Sequence, residues 1–165
     1  MTHTQQVGME FMFTEEELKT VEEIKSHYPT SQAALLPVLW LAQKKYGWIS
    51  EELMKYVAKL LEVPYSHVLG VVTFYSMFNK KPVGKYHLQV CTNISCQLMG
   101  AETLLEHIEK QLHIRPGETT ADGRFTLSEV ECLGSCGTAP TIQINDDYYE
   151  ALTPEKLDSI LRSLR

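Results

Sequence analysis

The chain has 165 residues, 44% hydrophobic and 22% charged, with a formal net charge of −6, which is the composition of an ordinary soluble protein of one or two small domains. The negative balance argues against non-specific nucleic-acid binding, and no apolar run approaches the roughly 18 residues of a membrane-spanning helix. The N-terminus, MTHTQQVGMEFMF, has no basic stretch followed by a long apolar core, so no secretory signal is visible.

Residues 1–13 carry no clear pattern and read as a loose arm. Thr14-Glu15-Glu16-Glu17 is a capping box ahead of a periodic segment with Leu18, Val21 and Ile24, a helix that stops before Pro29. Ser31 is placed to cap the next helix, which carries Leu35, Leu36, Leu39 and Ala42, is kinked at Pro37 and ends at Gly47. Ser50 caps a third, with Leu53, Met54, Val57, Leu60 and Leu61 on one face, ending before Pro64. The following YSHVLGVVTFYSMF is rich in β-branched and aromatic residues and reads as a short helix running into an extended stretch. Four short amphipathic segments in succession predict a small helical bundle.

NKKPVGKY is a linker by composition, which places a boundary near residue 83 and divides the chain into an arm and bundle (1–83) and a second domain (84–165). Beyond it the period changes. Tyr86, Leu88 and Val90 alternate with His87, Gln89 and Cys91, so a strand delivers Cys91 at its end. Residues 101–112 read as a helix with Leu104, Leu105, Ile108 and Leu112 inward. A second strand begins at Phe125 and Leu127 and runs to Cys132, its phase slipping near Ser128 at a bulge. Residues 141–145 and 148–150 form a hairpin around Asp146-Asp147, and Thr153-Pro154 opens a last helix. The order β-α-β-β-β-α predicts an α+β fold, a small sheet with helices packed on it. The second half is also the acidic half: residues 1–83 hold 8 Lys/Arg against 9 Asp/Glu, and residues 84–165 hold 7 against 12. Acidic surroundings are ordinary solvated surface; around a redox centre they would also lower its potential.

All four cysteines lie in this half. Cys91 and Cys96 form a C-x4-C, and after 35 intervening residues Cys132 and Cys136 form a C-x3-C. Each pair sits where an apolar strand gives way to a loop rich in Gly, Ser, Asn and Thr. Two such loops meet if their strands are neighbours in one sheet. An iron–sulfur cluster of the [2Fe–2S] type takes four thiolates, two per iron, and tolerates such gaps. A structural zinc site, which usually takes tighter knuckles, fits less well and stays open, as do disulfides or unrelated thiols. Neither pair has the C-x2-C gap of a thioredoxin-type redox motif. Gly134 and Gly137 flank Ser135 and Cys136 and would let backbone N–H groups approach sulfur. A helix opening soon after Cys96 would turn its N-terminus toward that anionic group.

GVVTFYSMF, PVGKYHLQVCTNISC and ECLGSCGTAPTIQINDDYYEALTPEKLDSIL, taken together, resemble the small peripheral [2Fe–2S] subunit of NADH:quinone oxidoreductase, respiratory complex I. The resemblance runs from about residue 14 to the C-terminus, with no departure at the four cysteines. It implies a helical bundle followed by a thioredoxin-like ferredoxin domain, with Cys91, Cys96, Cys132 and Cys136 as ligands of one [2Fe–2S] cluster. It further implies an electron-transfer subunit of an enzyme complex, docked beside a larger subunit that binds NADH and flavin mononucleotide (FMN). There the cluster lies near the flavin but off the main cluster chain to quinone, and takes up the second electron of the reduced flavin temporarily. By the same resemblance the subunit is cytoplasmic or on the mitochondrial matrix side, and meets the membrane only through the complex. Equivalent subunits of NAD-dependent hydrogenases and formate dehydrogenases are the alternative, and a zinc-stabilised interaction module or standalone ferredoxin are readings of other classes.

No G-x-G-x-x-G follows a strand and no P-loop is present, so NADH, flavin and quinone sites are expected on other chains. His87 reads as a strand-surface residue, and His107 and His113 as exposed helix positions. Thr73, Phe74, Tyr75 and Phe78 read equally as partner-facing aromatics or as packing. Asp146 and Asp147 suit a turn and not an acid/base couple, which needs convergence in a cleft.

Overall fold

The capping box at Thr14 is formed in the computed structural model, which describes residues 11–164. The Thr14 hydroxyl accepts from the Glu17 N–H at 3.2 Å, and the Glu17 carboxylate accepts from the Thr14 N–H at 2.6 Å. Two of the four orphan donors of helix α1 (Glu15–Ser26) are thereby satisfied. Helix α2 (Leu35–Tyr46) starts later than expected, because residues 31–34 are spent on a turn in which the Ala34 N–H reaches the Ser31 carbonyl at 3.2 Å. Ser31 therefore does not cap it. Pro37 falls at the third helical position, where its missing N–H would have no intrahelical acceptor, so the expected kink has no cause. Helix α3 (Glu51–Leu61) is capped by Ser50, whose hydroxyl accepts from the Leu53 N–H at 3.1 Å, and α4 (Tyr65–Phe74) follows Pro64 and gives way to extended backbone at Tyr75.

The chain divides between Pro82 and Val83 into two units, each with its own core. In the first, Leu35, Leu39, Leu53 and Leu61 are all but sealed from solvent; each contributes about 1.5–3 kcal/mol by burial. Phe78 belongs to this core, at 2% exposed, and is no surface aromatic; Phe74, at 80%, and Tyr75, at 39%, face water. Buried Gln43 ties the segment after α4 to α2, donating to the Met77 carbonyl at 2.9 Å and accepting from the Asn79 N–H at 2.6 Å. The expected arm is only partly within the described residues. Residues 1–10 lie outside them, whereas Phe13 is buried in the core and its N–H reaches the Tyr56 hydroxyl at 3.0 Å. Residues 11–13 are thus part of the bundle.

The second unit holds a four-stranded sheet of order β2-β1-β3-β4. β1 (Tyr86–Cys91) runs parallel to β2 (Phe125–Val130) and antiparallel to β3 (Ile142–Ile144), which pairs in turn with β4 (Asp147–Tyr149). The β1-to-β2 crossover carries a five-residue helix, α5 (Ile94–Leu98), and then α6 (Ala101–Leu112); α7 (Pro154–Ser163) closes the chain with Pro154 at its first position and Thr153 as cap. Leu88, Val90, Leu104, Ile108, Leu127, Ile142 and Leu157 form the core. His113 is exposed, but His107 is not: its Nε2 lies 2.7 Å from the Asp158 carboxylate of α7, and both side chains are half-buried.

β2 differs from expectation at both ends. Its pairing with β1 runs without interruption from Tyr86↔Phe125 to Cys91↔Val130, so there is no bulge, and it stops two residues before Cys132. Phe125, Thr126 and Leu127 are all buried, so both faces of the strand start are covered. The Thr126 hydroxyl accepts from the Gly84 N–H at 2.6 Å and lies 2.7 Å from the Thr119 hydroxyl. Gly84 is required there, because a Cβ would stand 2.9 Å from the Arg124 carbonyl carbon. In the hairpin, the turn is Asn145-Asp146, with Asn145 at φ 55°.

Candidate metal centre

Strand order decides what meets at the end of β1. β1 and β2 are parallel neighbours, so both present their carboxyl ends at one edge of the sheet. β3, on the far side of β1, starts at that same edge. The connection from β2 to β3, residues 131–141, must therefore cross the end of β1, where Cys91 lies. It carries Cys132 and Cys136 across the loop that carries Cys96. Hydrogen bonds stitch the two segments together: Thr92 N–H to the Val130 carbonyl at 3.1 Å, Asn93 Nδ2 to the Glu131 carbonyl at 2.7 Å, and Cys91 N–H to the Thr141 carbonyl at 3.2 Å. Cys91 and Cys96 are buried, in a small cluster with Ala101 and Ala139 against which Val130 and Leu133 pack. Cys132 and Cys136 are exposed.

All four cysteines are free thiols. Burial raises the Cys91 thiol, the largest single influence, but hydrogen bonds from the Asn93 and Leu133 backbone and from the Cys96 and Cys132 thiols outweigh it, and the net direction is downward. Cys96 is pushed up, first by burial and then by its hydrogen bond to Cys91, against a backbone hydrogen bond from Thr141; the charges of Cys91 and Cys136 add to the rise. Removing one proton thus makes the next harder to remove, as expected of several thiols sharing one small region. A bound cation would relieve that repulsion. Among the described residues, no group of three or more His, Cys, Asp or Glu side chains is set to hold a single metal ion. The donor chemistry, four free thiols on two adjoining loops with backbone N–H groups aimed at sulfur, fits a thiolate-bound pair of irons.

The loops are built for close approach of backbone to sulfur. Gly134, at φ 74°, bends the chain back so that its N–H donates to Cys132 Sγ at 3.3 Å. Cys136 opens a single 3-10 turn, Cys136–Thr138, which includes Gly137. Cys96 lies inside α5 and not before it, so the expected helix opening after Cys96 is α6, which starts at Ala101 beyond the left-handed Gly100. Asn93 caps α5, accepting from the Ile94 N–H at 2.8 Å, while its amide holds the other loop. Sequence reasoning missed Asn93, and it missed Tyr148 and Glu150 of the hairpin. The Tyr148 hydroxyl donates to the Leu133 carbonyl at 3.1 Å, and Glu150 accepts from Ser135 and Thr138 on either side of Cys136. Those two hydroxyls, Ser135 first, hold the Glu150 carboxyl below its ordinary range. His87 takes no part; it is partly buried on β1 with Nε2 2.8 Å from the Ser128 hydroxyl, and burial lowers its pKa.

A parallel crossover whose carboxyl edge carries four free cysteines defines the class: an α+β domain with a cysteine-bearing sheet edge. The chain belongs to the thioredoxin-like [2Fe–2S] ferredoxin family, whose sequence model matches residues 21–165. It is similar to a subunit of the NADH-quinone oxidoreductase of Rickettsia felis, 49% identical over 154 residues, 92% of this chain and 92% of that protein. The corresponding NADH-quinone oxidoreductase subunit from Rickettsia bellii is 47% identical over 158 residues, covering 94% and 95%, and that from Rhizobium meliloti is 46% identical over 145 residues, covering 88% and 86%. In fold the chain is similar to part of an NAD+-reducing [NiFe]-hydrogenase in the H2-reduced state, with a TM-score of 0.71 at 21% identity; the match covers 83% of this chain but only 23% of that one.

Proposed function

We propose that this protein is the [2Fe–2S] electron-transfer subunit of an NADH:quinone oxidoreductase, and that Cys91, Cys96, Cys132 and Cys136 hold its cluster. The crossing of the 131–141 connection over the end of β1, which brings four free thiols to one edge, is the observation that carries the reading. When bound, the cluster supplies a site that takes up and releases one electron. The chain's own residues set the conditions for that. The Cys91 side favours thiolate through hydrogen bonds from Asn93 and Leu133, and the Gly134 N–H donates to Cys132 Sγ at 3.3 Å. Burial of Cys91 and Cys96 keeps water from that side, while exposed Cys132 and Cys136 leave the other open. Apolar Ile94, Leu98 and Met99, on and beside the helix that carries Cys96 and at 72%, 81% and 62% exposed, offer surface suited to a partner.

The partner in this reading is the subunit that binds NADH and FMN, and this chain supplies neither nucleotide site. The names borne by relatives of near-equal length favour the quinone-reducing assembly over a hydrogenase. Attachment to the membrane comes through the complex; among the described residues no helix is long and apolar enough to cross one. In the first unit, exposed Leu69, Phe74, Tyr75 and Met77 supply part of the contact with the flavin subunit.

Anaerobic purification tests the reading. The protein should contain about two irons and two acid-labile sulfides per chain, with visible absorption that bleaches on reduction. Cys91→Ala and Cys136→Ala should each abolish the chromophore. A chromophore intact in either variant removes that cysteine from the ligand set, and a colourless protein that holds zinc, or that reconstitution cannot load, ends the proposal.

A further inference from the structure

The 131–141 connection has almost no regular structure of its own, a single 3-10 turn apart, yet it carries two of the four cysteines. What holds it is the edge strand β4 and the residues just after it. Tyr148 lies on that strand and Glu150 is the first residue past its end, and the side chains of both reach the connection. The Tyr148 hydroxyl donates to the carbonyl of Leu133, the residue after Cys132. The Glu150 carboxylate accepts from Thr138 Oγ1 at 2.6 Å and from Ser135 Oγ, the two hydroxyls that bracket Cys136, and these hydroxyls are 2.8 Å from each other. Main chain completes the grip: the Ala151 N–H reaches the Thr138 carbonyl at 2.7 Å and the Leu152 N–H the Pro140 carbonyl at 3.2 Å. To make the first of these, Ala151 sits at φ 46°, a left-handed conformation that a residue with a Cβ adopts only where its surroundings impose it.

We infer that Glu150, with Tyr148, is a positioning residue of the cluster site: β4 clamps the Cys132–Cys136 loop from outside and fixes the geometry of that cysteine pair. The inference rests on the ligand set proposed above. Neither residue touches a cysteine; both act on the backbone and hydroxyls that carry the cysteines. Outer hydrogen bonds of this kind are what hold metal ligands in register.

The test uses the full chain, loaded with its cluster under anaerobic conditions, and reads the rate of cluster loss to an iron chelator and the electron paramagnetic resonance spectrum of the reduced protein. Glu150→Ala should lose the cluster about 10-fold faster and show an altered spectrum. Glu150→Gln keeps an oxygen that accepts from both hydroxyls, and should restore the parent spectrum and nearly the parent rate. Tyr148→Phe, which loses only the Leu133 bond, should fall between. Thr138→Val breaks the same contact from the loop side, should also speed cluster loss, and decides the matter if Glu150→Ala does not fold. Parent-like behaviour of Glu150→Ala in rate and spectrum overturns the clamp, and so does a Glu150→Gln variant as labile as Glu150→Ala, since charge and not hydrogen bonding would then be at work. A parent chain that takes up no cluster overturns the ligand assignment beneath it, which is a distinct result.

Discussion

Thr126→Val replaces a buried hydroxyl, 5% exposed at the start of β2, by a methyl group of nearly the same size. Two groups lose a partner. The Thr119 hydroxyl belongs to an exposed residue and finds water. The Gly84 N–H, now 2.6 Å from Oγ1, is half-buried against the strand and does not. An unmet buried donor costs about 1–3 kcal/mol, and the added apolar group returns somewhat under 1 kcal/mol. The net loss is about 1–2 kcal/mol, a factor of about 5–30 in an opening equilibrium. Both tryptophans, Trp40 and Trp48, lie before Pro82, so fluorescence would report the other unit. Hydrogen exchange by mass spectrometry on the full chain is the suitable assay, because it resolves local opening. Amides of β1 and β2 should exchange faster by that factor, and those of α2 and α3 should not change. Thr126→Ser, which keeps the oxygen, should suffer less. Parent-like protection in the valine variant, or equal loss in the serine variant, would refute the account of the buried strand start.

The remaining predictions concern the helical unit. Pro37→Ala should move stability by well under the ~3 kcal/mol that removing a helix-interior proline would return, because Pro37 occupies the first turn of α2; a large rise in the thermal midpoint would show that it strains the helix after all. Glu17 is held below its ordinary range, first by the hydrogen-bonded Lys45 and then by the Thr14 N–H. A lowered folded-state pKa stabilises above the unfolded-state value, and that contribution is lost as pH falls through the folded one. The thermal midpoint of Glu17→Gln should therefore lie below the parent's at pH 7 and converge on it only as pH falls below the lowered Glu17 value, under the ordinary carboxylate range. An equal gap at both pH values would show that the charge has no part.

β1 and α6 are legible in the sequence because each has a clean period: alternation runs from Tyr86 to Cys91, and Leu104, Leu105, Ile108 and Leu112 mark one helix face. The capping box is legible for the same reason, since Thr14 and Glu17 act within one turn. What sequence conceals is contact at a distance. Thr126 reads as an outward-facing polar residue of β2, because nothing local shows that Gly84, 42 residues earlier, supplies its partner and that both are covered. Glu150 reads as an ordinary surface acid until the fold brings Ser135 and Thr138 to it. Ser31 offers a cap, but its carbonyl accepts from the Ala34 N–H in a turn that runs up to α2, a pairing its residue type does not announce. The four cysteines are visible because their residue type and spacing carry the signal; the groups that orient them have neither.

The 35 residues between the cysteine pairs follow from the topology. A hairpin would have needed only a short turn, but it would make β1 and β2 antiparallel and send their carboxyl ends to opposite edges of the sheet. Parallel strands require a crossover of at least about a dozen residues, and α5 and α6 occupy it here. Parallel pairing alone would still leave the second loop free to turn outward from β2. Placing β3 on the far side of β1 removes that freedom, because the loop must then pass over Cys91 to reach its next strand. Pairing of the sheet thus brings the two loops together, and burial of Leu88, Val90, Leu127 and Ile142 stabilises it. On that footing a cysteine variant should lose its cluster while the sheet persists, and hydrogen bonds such as those of Asn93 and Glu150 set how sharply the thiols are placed.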